Sequence, residues 1–405
     1  MMKTMKQNNK IPFILYLFFI LIYFNQGISS LPGQCIYYLT RESWGLSATM
    51  IGLIGCITGL AWYIKFVWGY IADSFPSKNK QILYFNYILI IAIYLYIIIF
   101  GLNIWTLIGT GLLTNMCIGF NDVINDKAMV ILEKKHNLRG KLQALQWTSL
   151  GVAGLIVSLL GAKIAFSFPE TINYRIAYAF ASIVPILTIF YLIKYYKCET
   201  VSKKPKFHSC KEIISRVKNK RFLIAILFII CLQLCPSFGT ALMIKAREQL
   251  GVSKMFLGYL GATGTVLGIT GYALYYWKVY KFRVKHLLYF MVIFTGITNL
   301  FYLYIPNQWY LLIYNLMFGV FGGITFLTLL AFFAKIVPTG YEGMFYAIVT
   351  SVSNFCARGS GLLGGIIYDH FGYSICVIVS SVLTLVCVFF IPYLKLEELE
   401  LKGAK

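Results

Sequence analysis

The sequence predicts an all-α membrane protein with twelve transmembrane helices in two pseudo-symmetric six-helix halves and both termini in the cytoplasm. Three observations predict this fold class. The 405 residues are 59% hydrophobic and only 12% charged, whereas a soluble chain carries about 25% charged residues. Lysine and arginine are concentrated in alternate connections between apolar runs. A polar segment of the first half recurs at the corresponding point of the second half.

The spans follow from apolar runs of about 20 residues, the length that crosses the hydrocarbon core. The first run is too long for a signal sequence, and no small-residue cleavage site follows it, so we expect it to be a retained helix. We predict spans at residues 11–32, 47–72, 81–100, 104–132, 142–166, 174–196, 221–246, 255–277, 286–305, 308–334, 342–368 and 373–394.

The orientation follows from the positive-inside rule. If the N-terminus is cytoplasmic, 27 of the 36 lysines and arginines fall in cytoplasmic segments, five fall in outer segments and four fall within spans. Most of the net charge of +22 therefore reflects topology and does not indicate a nucleic-acid partner. We expect a multi-pass protein of the cell membrane, plasma or inner, whose basic loops face anionic lipid.

The chain contains an internal duplication. The segment RESWGLSATMIGLIG begins at Arg41, and REQLGVSKMFLGYLG begins at Arg247, 206 residues later. We therefore predict a six-helix bundle at 1–196, a basic cytoplasmic linker at 197–220 and a second bundle at 221–405. Parallel halves of this kind bind substrate between them, near the middle of the membrane.

The fourth predicted span contains charged residues in GFNDVINDKAMVIL, residues 119–132. Asp122 and Asp126 are four residues apart and share a helix face, at depths of about 16 and 10 Å. Lys65 of the second span lies at a depth of about 12 Å. Because buried ions must pair, we expect these three residues to face each other across a polar cavity. They form either a structural ion pair or a group that exchanges protons and substrate. Lys127 points about 100° away, and we expect it to snorkel to the surface.

Arg358 is a second charge within a predicted span. It lies about 20–25 Å from the inner end of the eleventh span, and no acidic residue of the second half shares that depth. An arginine in this position is expected to face the cavity and meet an anionic substrate. The alternative is a structural bond to carbonyls at a helix end.

Polar and aromatic residues accompany these charges. Trp62 is three residues before Lys65, so the two share a helix face. Trp147 follows Gln143 and Gln146 on the fifth predicted span. Either tryptophan could stack on a flat heterocycle, and packing within the core is the alternative. We include Trp62, Gln143 and Trp147 in the predicted substrate and proton site.

The segment GYIADSFPSKNK, between the second and third spans, predicts a cytoplasmic latch. Gly69 lets helix backbones approach closely, and Asp73 lies at a helix end near lysines. Glu342, at the start of the eleventh span, is assigned to the same gate. We expect the latch to break when the two halves rock.

Other chemistries are not indicated. The ten cysteines are scattered and no histidine cluster joins them, so neither a metal site nor a disulfide framework is predicted. A nucleophile–base pair and the phosphate loop of an ATP-driven pump are also unrecognisable. We therefore expect neither an enzyme nor a cofactor. A receptor or scaffold would need no mid-membrane charges, so the charges favour a monomeric transporter whose partners are a small molecule, protons and the lipid bilayer.

Six motifs in order resemble the folate–biopterin transporter family of the major facilitator superfamily. They are QGISSLPG at Gln26, GLAWYIKFVWGYIADSFP at Gly59, NDVINDKAMV at Asn121, LQALQW at Leu142, CPSFGTAL at Cys235 and PTGYEGMFYAIVTSVSN at Pro338. The resemblance implies twelve helices, proton-coupled uptake and a pterin or folate substrate. Another organic anion, a nucleotide-like metabolite or a drug remains the alternative cargo.

The chain departs from the family pattern at two places. Ala61 and Phe66 stand where the family usually has prolines, so we expect a straighter second helix. Asn121 and Lys127 replace the usual serine and a small or apolar residue, which alters the charge balance beside the aspartates.

Overall fold

The computed structural model describes residues 13–136, 141–194, 217–337 and 342–396, and all regular secondary structure within these ranges is helical. Eight helical stretches in them are long and apolar enough to cross a membrane. Large apolar side chains on their outer faces are exposed, including Phe100 at 71% and Trp105 at 81%. Exposed apolar surface of this kind suits contact with lipid.

The described residues of the first half form nine α-helices. They are α1 (Phe13–Ile28), α2 (Gly33–Tyr38), α3 (Ala48–Thr58), α4 (Leu60–Tyr63), α5 (Lys65–Ser74), α6 (Asn79–Phe100), α7 (Ile104–His136), α8 (Lys141–Ser167) and α9 (Glu170–Lys194). A π-helical turn, Leu39–Ser43, continues α2.

The second half contains six α-helices in its described residues. They are α10 (Lys220–Gln233), α11 (Gly239–Ile244), α12 (Lys254–Trp277), α13 (Val284–Phe301), α14 (Gln308–Ile336) and α15 (Glu342–Val386). The π-helical turn Lys245–Gln249 continues α11, and a 3₁₀ helix, Cys387–Leu394, follows α15. α15 bends at Gly372, whose φ of 80° suits glycine.

Eight stretches qualify as candidate spans by length and composition, so the count of twelve stays a prediction. The second and seventh predicted spans are interrupted helices, which shortens each continuous apolar segment. The eighth, α12, is a continuous helix but is not among the eight candidates. The eleventh and twelfth form one helical stretch with its bend at Gly372, inside the predicted connection at 369–372.

The duplication is visible in the backbone at the same offset of 206 residues. The π-helical turns after α2 and α11 occupy equivalent positions. Gly45 follows one with a φ of 65°, and Gly251 follows the other with a φ of 62°. Ser47 and Ser253 then cap α3 and α12 by accepting backbone N–H bonds. Two copies of one sequence segment thus adopt one local fold.

The expectation of a straighter second helix is wrong. Although Ala61 and Phe66 replace the prolines, the segment breaks into α3, α4 and α5. The breaks fall at Gly59 and at Ile64, whose φ of −109° and ψ of 26° are not helical. Proline is one cause of a kink, and side chains that insert into the hydrogen-bond ladder are another.

Side chains replace backbone donors at these breaks. The hydroxyl of Tyr63 donates to the carbonyl of Cys56 at 2.9 Å. The indole N–H of Trp68 donates to the carbonyl of Ala61 at 2.9 Å. Because unpaired carbonyls are costly in an apolar interior, these two bonds stabilise an irregular helix that contains no proline.

Each predicted half has its own buried hydrophobic clusters. The first spans Phe18 to Leu192, and a second spans Phe222 to Leu396. Glycines allow close approach between the halves: a side-chain carbon on Gly52 of α3 would lie 2.8 Å from Cα of Leu362 on α15. At the equivalent position, Gly258 of α12 lies against α8. The halves therefore meet at two related helix crossings.

Candidate functional site

A cavity of about 2010 Å³ lies between the halves. It receives side chains from both: Tyr23, Trp62, Lys65, Asn115, Asp122, Asp126 and Trp147 from the first, and Gln233, Phe326, Tyr346, Thr350, Asn354 and Arg358 from the second. It reaches the helix ends near Ser74 and Tyr346. None of the described residues 31–61 and 234–253, which include the helix ends opposite that mouth, lines it.

Lys65 and Asp122 form an ion pair within this cavity. Nζ of Lys65 lies 2.5 Å from Oδ2 of Asp122. Lys65 is the first residue of α5, so the break at Ile64 helps to direct it towards α7. The two side chains are only 17% and 4% exposed. The pair is therefore largely removed from solvent, and loss of either partner would leave a charge that the fold must compensate elsewhere.

Asp126 lies one helical turn beyond Asp122 and has a different partner. Its Oδ1 accepts a hydrogen bond of 3.0 Å from the hydroxyl of Tyr23 on α1. Gln146 of α8 is fully buried beside it. Two carboxylates and one lysine leave one negative charge in excess. A proton or a hydrogen-bond donor on a ligand could offset that charge.

The two predicted tryptophans line the cavity and also make structural contacts. Trp62 donates its indole N–H to Asn115 at 3.0 Å, and Nζ of Lys65 lies 5.3 Å from its ring centroid. Trp147 makes edge-to-face contacts with Tyr23 and with Phe326, at 6.2 and 5.4 Å between ring centroids. Phe326 belongs to the second half, so Trp147 bridges the interface.

Arg358 lines the same cavity from α15. Its side chain is exposed, and among the described residues no carboxylate lies within ion-pair distance of its guanidinium. Its aliphatic stem packs near Gly59. The arrangement presents a charged donor to the cavity.

Lys127 does not point away to a helix surface as expected. Its Nζ donates to the carbonyl of Ala72 at 3.0 Å, and its side chain lines the cavity. A cation near the last carbonyls of α5 also complements the helix dipole. Asn121 accepts a bond of 2.8 Å from the amide of Asn86. It is buried between α6 and α7, so only one of the two unusual residues borders the cavity.

The predicted gate is described only in part. Gly69 lines the cavity, and a side-chain carbon there would lie 3.9 Å from Val123. Asp73, Gln143 and Glu342 lie on helices, but their side chains are outside the described part of the structure.

Several cavity residues were not predicted, namely Tyr23, Asn115, Phe326 and Tyr346. Asn115 had a usable signal, because it precedes Asp122 by seven residues and therefore shares its helix face. The remaining three depend on how their helices are rotated against each other, which sequence spacing does not give.

Comparison with known proteins agrees with this architecture. The BT1 family profile matches residues 26–395. The folate-biopterin transporter of Synechocystis sp. is 26% identical over 376 residues, covering 87% of this chain and 74% of that protein. Folate transporter 1 of Plasmodium falciparum is 23% identical over 374 residues, covering 84% of this chain and 70% of its own.

The fold also matches a solved structure. The crystal structure of a D-xylose-proton symporter superposes with a TM-score of 0.72 at 16% identity, covering 94% of this chain and 97% of that one. This likeness shows the major facilitator fold. The chain is a multi-pass membrane protein, and with 370 consecutive residues matched by the profile it belongs to the BT1 family.

Proposed function

We propose that the protein is a secondary transporter that imports a folate or pterin compound through the central cavity by alternating access, with protons as the coupling ion. One observation carries the proposal. The cavity of a BT1-family chain contains an excess carboxylate on one wall and, on the other, an arginine that forms no ion pair with any residue the structure describes. Relatives named as folate-biopterin and folate transporters support the substrate class.

The chemistry of the two walls suits such a substrate. A pterin presents adjacent amino and ring N–H donors, which match the two oxygens of a carboxylate. Asp126 supplies those oxygens in this proposal, and Trp62 and Trp147 provide flat surfaces near it. Folate also carries a glutamate tail. Arg358 binds a carboxylate of that tail from the second half.

Charge balance supports proton coupling. Lys65 neutralises Asp122, and Asp126 remains the excess negative charge. A proton taken up on the outer side would neutralise Asp126 during passage and be released inside. The same group would then serve both substrate and proton, which links the two fluxes.

The topology belongs to the same proposal. Twelve spans, cytoplasmic termini and two bundles at 1–196 and 221–405 joined by the linker 197–220 fit the distribution of basic residues. The mouth near Ser74 and Tyr346 then faces the cytoplasm. Gly69, Asp73 and Glu342 are assigned to the gate at this mouth, and Gln143 to the cavity wall.

A carrier for another organic anion is the second candidate, and Lys127 favours it. This lysine borders the cavity where the family usually has a small or apolar residue. It adds a third cation to the lining, after Lys65 and Arg358. A substrate with more negative charge than a pterin would suit that lining.

Uptake of radiolabelled folate and biopterin into proteoliposomes tests the proposal, with an inward proton gradient imposed or collapsed. We expect gradient-dependent uptake in the wild type and its loss in Asp126→Asn. Lys163→Met, which changes an exposed lysine of α8, is the matched control. If well-folded protein transports neither compound but does transport another organic anion, the proposed substrate is wrong and the fold assignment is unaffected.

A further inference from the structure

The two copies of the repeated segment contact each other across the interface between the halves. Nε of Arg41 lies 2.7 Å from Oε1 of Glu248, and its Nη2 donates to Oε2 at 3.0 Å. Arg247 reaches Glu42 in return, with Nε and Nη2 at 2.9 and 2.8 Å from Oε1. Each copy thus supplies one arginine and one glutamate, and each residue meets its counterpart from the other copy.

The arginines are held in place by their own copies. A second donor of Arg41 bonds the carbonyl of Leu46 at 3.0 Å, and the equivalent donor of Arg247 bonds the carbonyl of Val252 at 2.6 Å. These carbonyls follow the positive-φ glycines described above. The local fold of each copy therefore orients its arginine before the other half arrives, so that less side-chain freedom is lost when the pairs form.

Further contacts across the interface surround these pairs. Lys254 of α12 bonds Glu42 at 3.2 Å and also Glu170 of the first half. Asp369 of α15 accepts the backbone N–H groups of Ala48 and Thr49, the first residues of α3, at 3.2 and 2.7 Å. A carboxylate at a helix N-terminus is a favourable arrangement.

The network is balanced in charge and lies at one end of the molecule. Three cations, Arg41, Arg247 and Lys254, meet three carboxylates, Glu42, Glu170 and Glu248. None of the six lines the central cavity, whereas the cavity reaches the helix ends on the opposite side. The contacts therefore join the halves at the end where the cavity is closed. The cavity is open at the other end.

We propose that the repeated Arg-Glu segments form a reciprocal clamp that holds this mouth shut and that releases both of its pairs when the transporter opens there. The pairs are partly exposed, with side-chain exposures between 20% and 46%. Exposed pairs are individually weak. The clamp therefore shifts the equilibrium towards the closed mouth but still allows the mouth to open. The inference does not depend on the substrate or on the coupling ion.

Hydrogen–deuterium exchange of the full-length protein in lipid nanodiscs tests the clamp without any substrate. We compare the wild type, Arg41→Glu, and the swap Arg41→Glu/Glu248→Arg. The single variant should shift the ratio of open to closed clamp by about fivefold, as expected for loss of one partly exposed pair. Exchange should rise in the segments 39–50 and 245–256 and fall in 65–74 at the opposite mouth. The swap should reverse both changes.

Arg175→Glu is the matched control, because this arginine bonds the carbonyls of Ile98 and Ile99 within the first half and does not cross the interface. It should leave exchange at the opposite mouth unchanged. If the charge reversal in Arg41→Glu impairs expression, Arg41→Gln removes the same ion pair by a milder change. The clamp is refuted if exchange rises near Arg41 with no fall at the opposite mouth, if the swap does not restore it, or if nothing changes.

Discussion

Substitution of Lys65 is the most direct test of the site's electrostatics. Removing Lys65 should lower the free energy of unfolding more than removing Asp122 does. Lys65→Met leaves two buried carboxylates without the lysine that neutralises one of them. Asp122→Asn leaves Lys65 with Asp126, one helical turn away on α7, and the group stays neutral. Charge balance, not the number of bonds removed, then sets the stability of each variant.

The magnitudes follow from burial. The Lys65 and Asp122 side chains are 17% and 4% exposed, so an uncompensated charge here costs about 3–5 kcal/mol. We expect Lys65→Met to lower the free energy of unfolding by that amount. Asp122→Asn should lower it by only about 1–2 kcal/mol, the value of a hydrogen bond to a charged group.

The assay is equilibrium unfolding of the purified protein in mixed micelles with increasing SDS, followed by circular dichroism. Lys163→Met controls for the exchange of lysine for methionine at an exposed site. Equal losses for the two variants would contradict the reasoning, because they would mean that Asp126 does not share the electrostatic environment of the ion pair.

Three further predictions concern the cavity and the interface. Arg358→Gln should raise the KM for an anionic substrate by about tenfold or more, the value of a charge-assisted bond, as measured by concentration-dependent uptake. The free energy of unfolding should not change in the unfolding assay, because Arg358 forms no ion pair with the described residues. Tyr23→Phe should reduce gradient-driven uptake more than counterflow exchange, since it removes the donor to Asp126, and an equal reduction of both would assign Tyr23 a purely structural role. Gly52→Ala should increase exchange at residues 39–50, because its methyl group would lie 2.8 Å from Cα of Leu362, and unchanged exchange would show that the crossing tolerates a side chain.

The sequence could predict the features that depend on spacing along one helix. The shared face of Asp122 and Asp126, and the depth of Lys65, follow from 1.5 Å per residue, and the structure brings Lys65 to Asp122. The 206-residue repeat likewise predicts equivalent segments, which reappear as π-helical turns and positive-φ glycines. These features need no knowledge of how helices rotate against each other.

Features that depend on tertiary contacts were not accessible in this way. The break at Ile64 was missed because prolines were the expected cause, whereas Tyr63 and Trp68 supply the compensating bonds. The hydrogen bond from Lys127 to Ala72 was missed because it depends on where the end of α5 lies relative to α7, which spacing along one helix does not give. Tyr23 became a cavity residue only through the packing of α1 against α7 and α8.

The reciprocal pairing has a consequence for how the two halves are related. In a homodimer of identical six-helix units, the Arg-Glu segment would form two equivalent ion pairs. Each arginine would face the partner copy's glutamate across a two-fold axis. The present chain retains that self-complementary geometry within one polypeptide. A charge change in one copy is therefore compensated at the equivalent glutamate of the other copy, 207 or 205 positions away, and not at a neighbour in sequence.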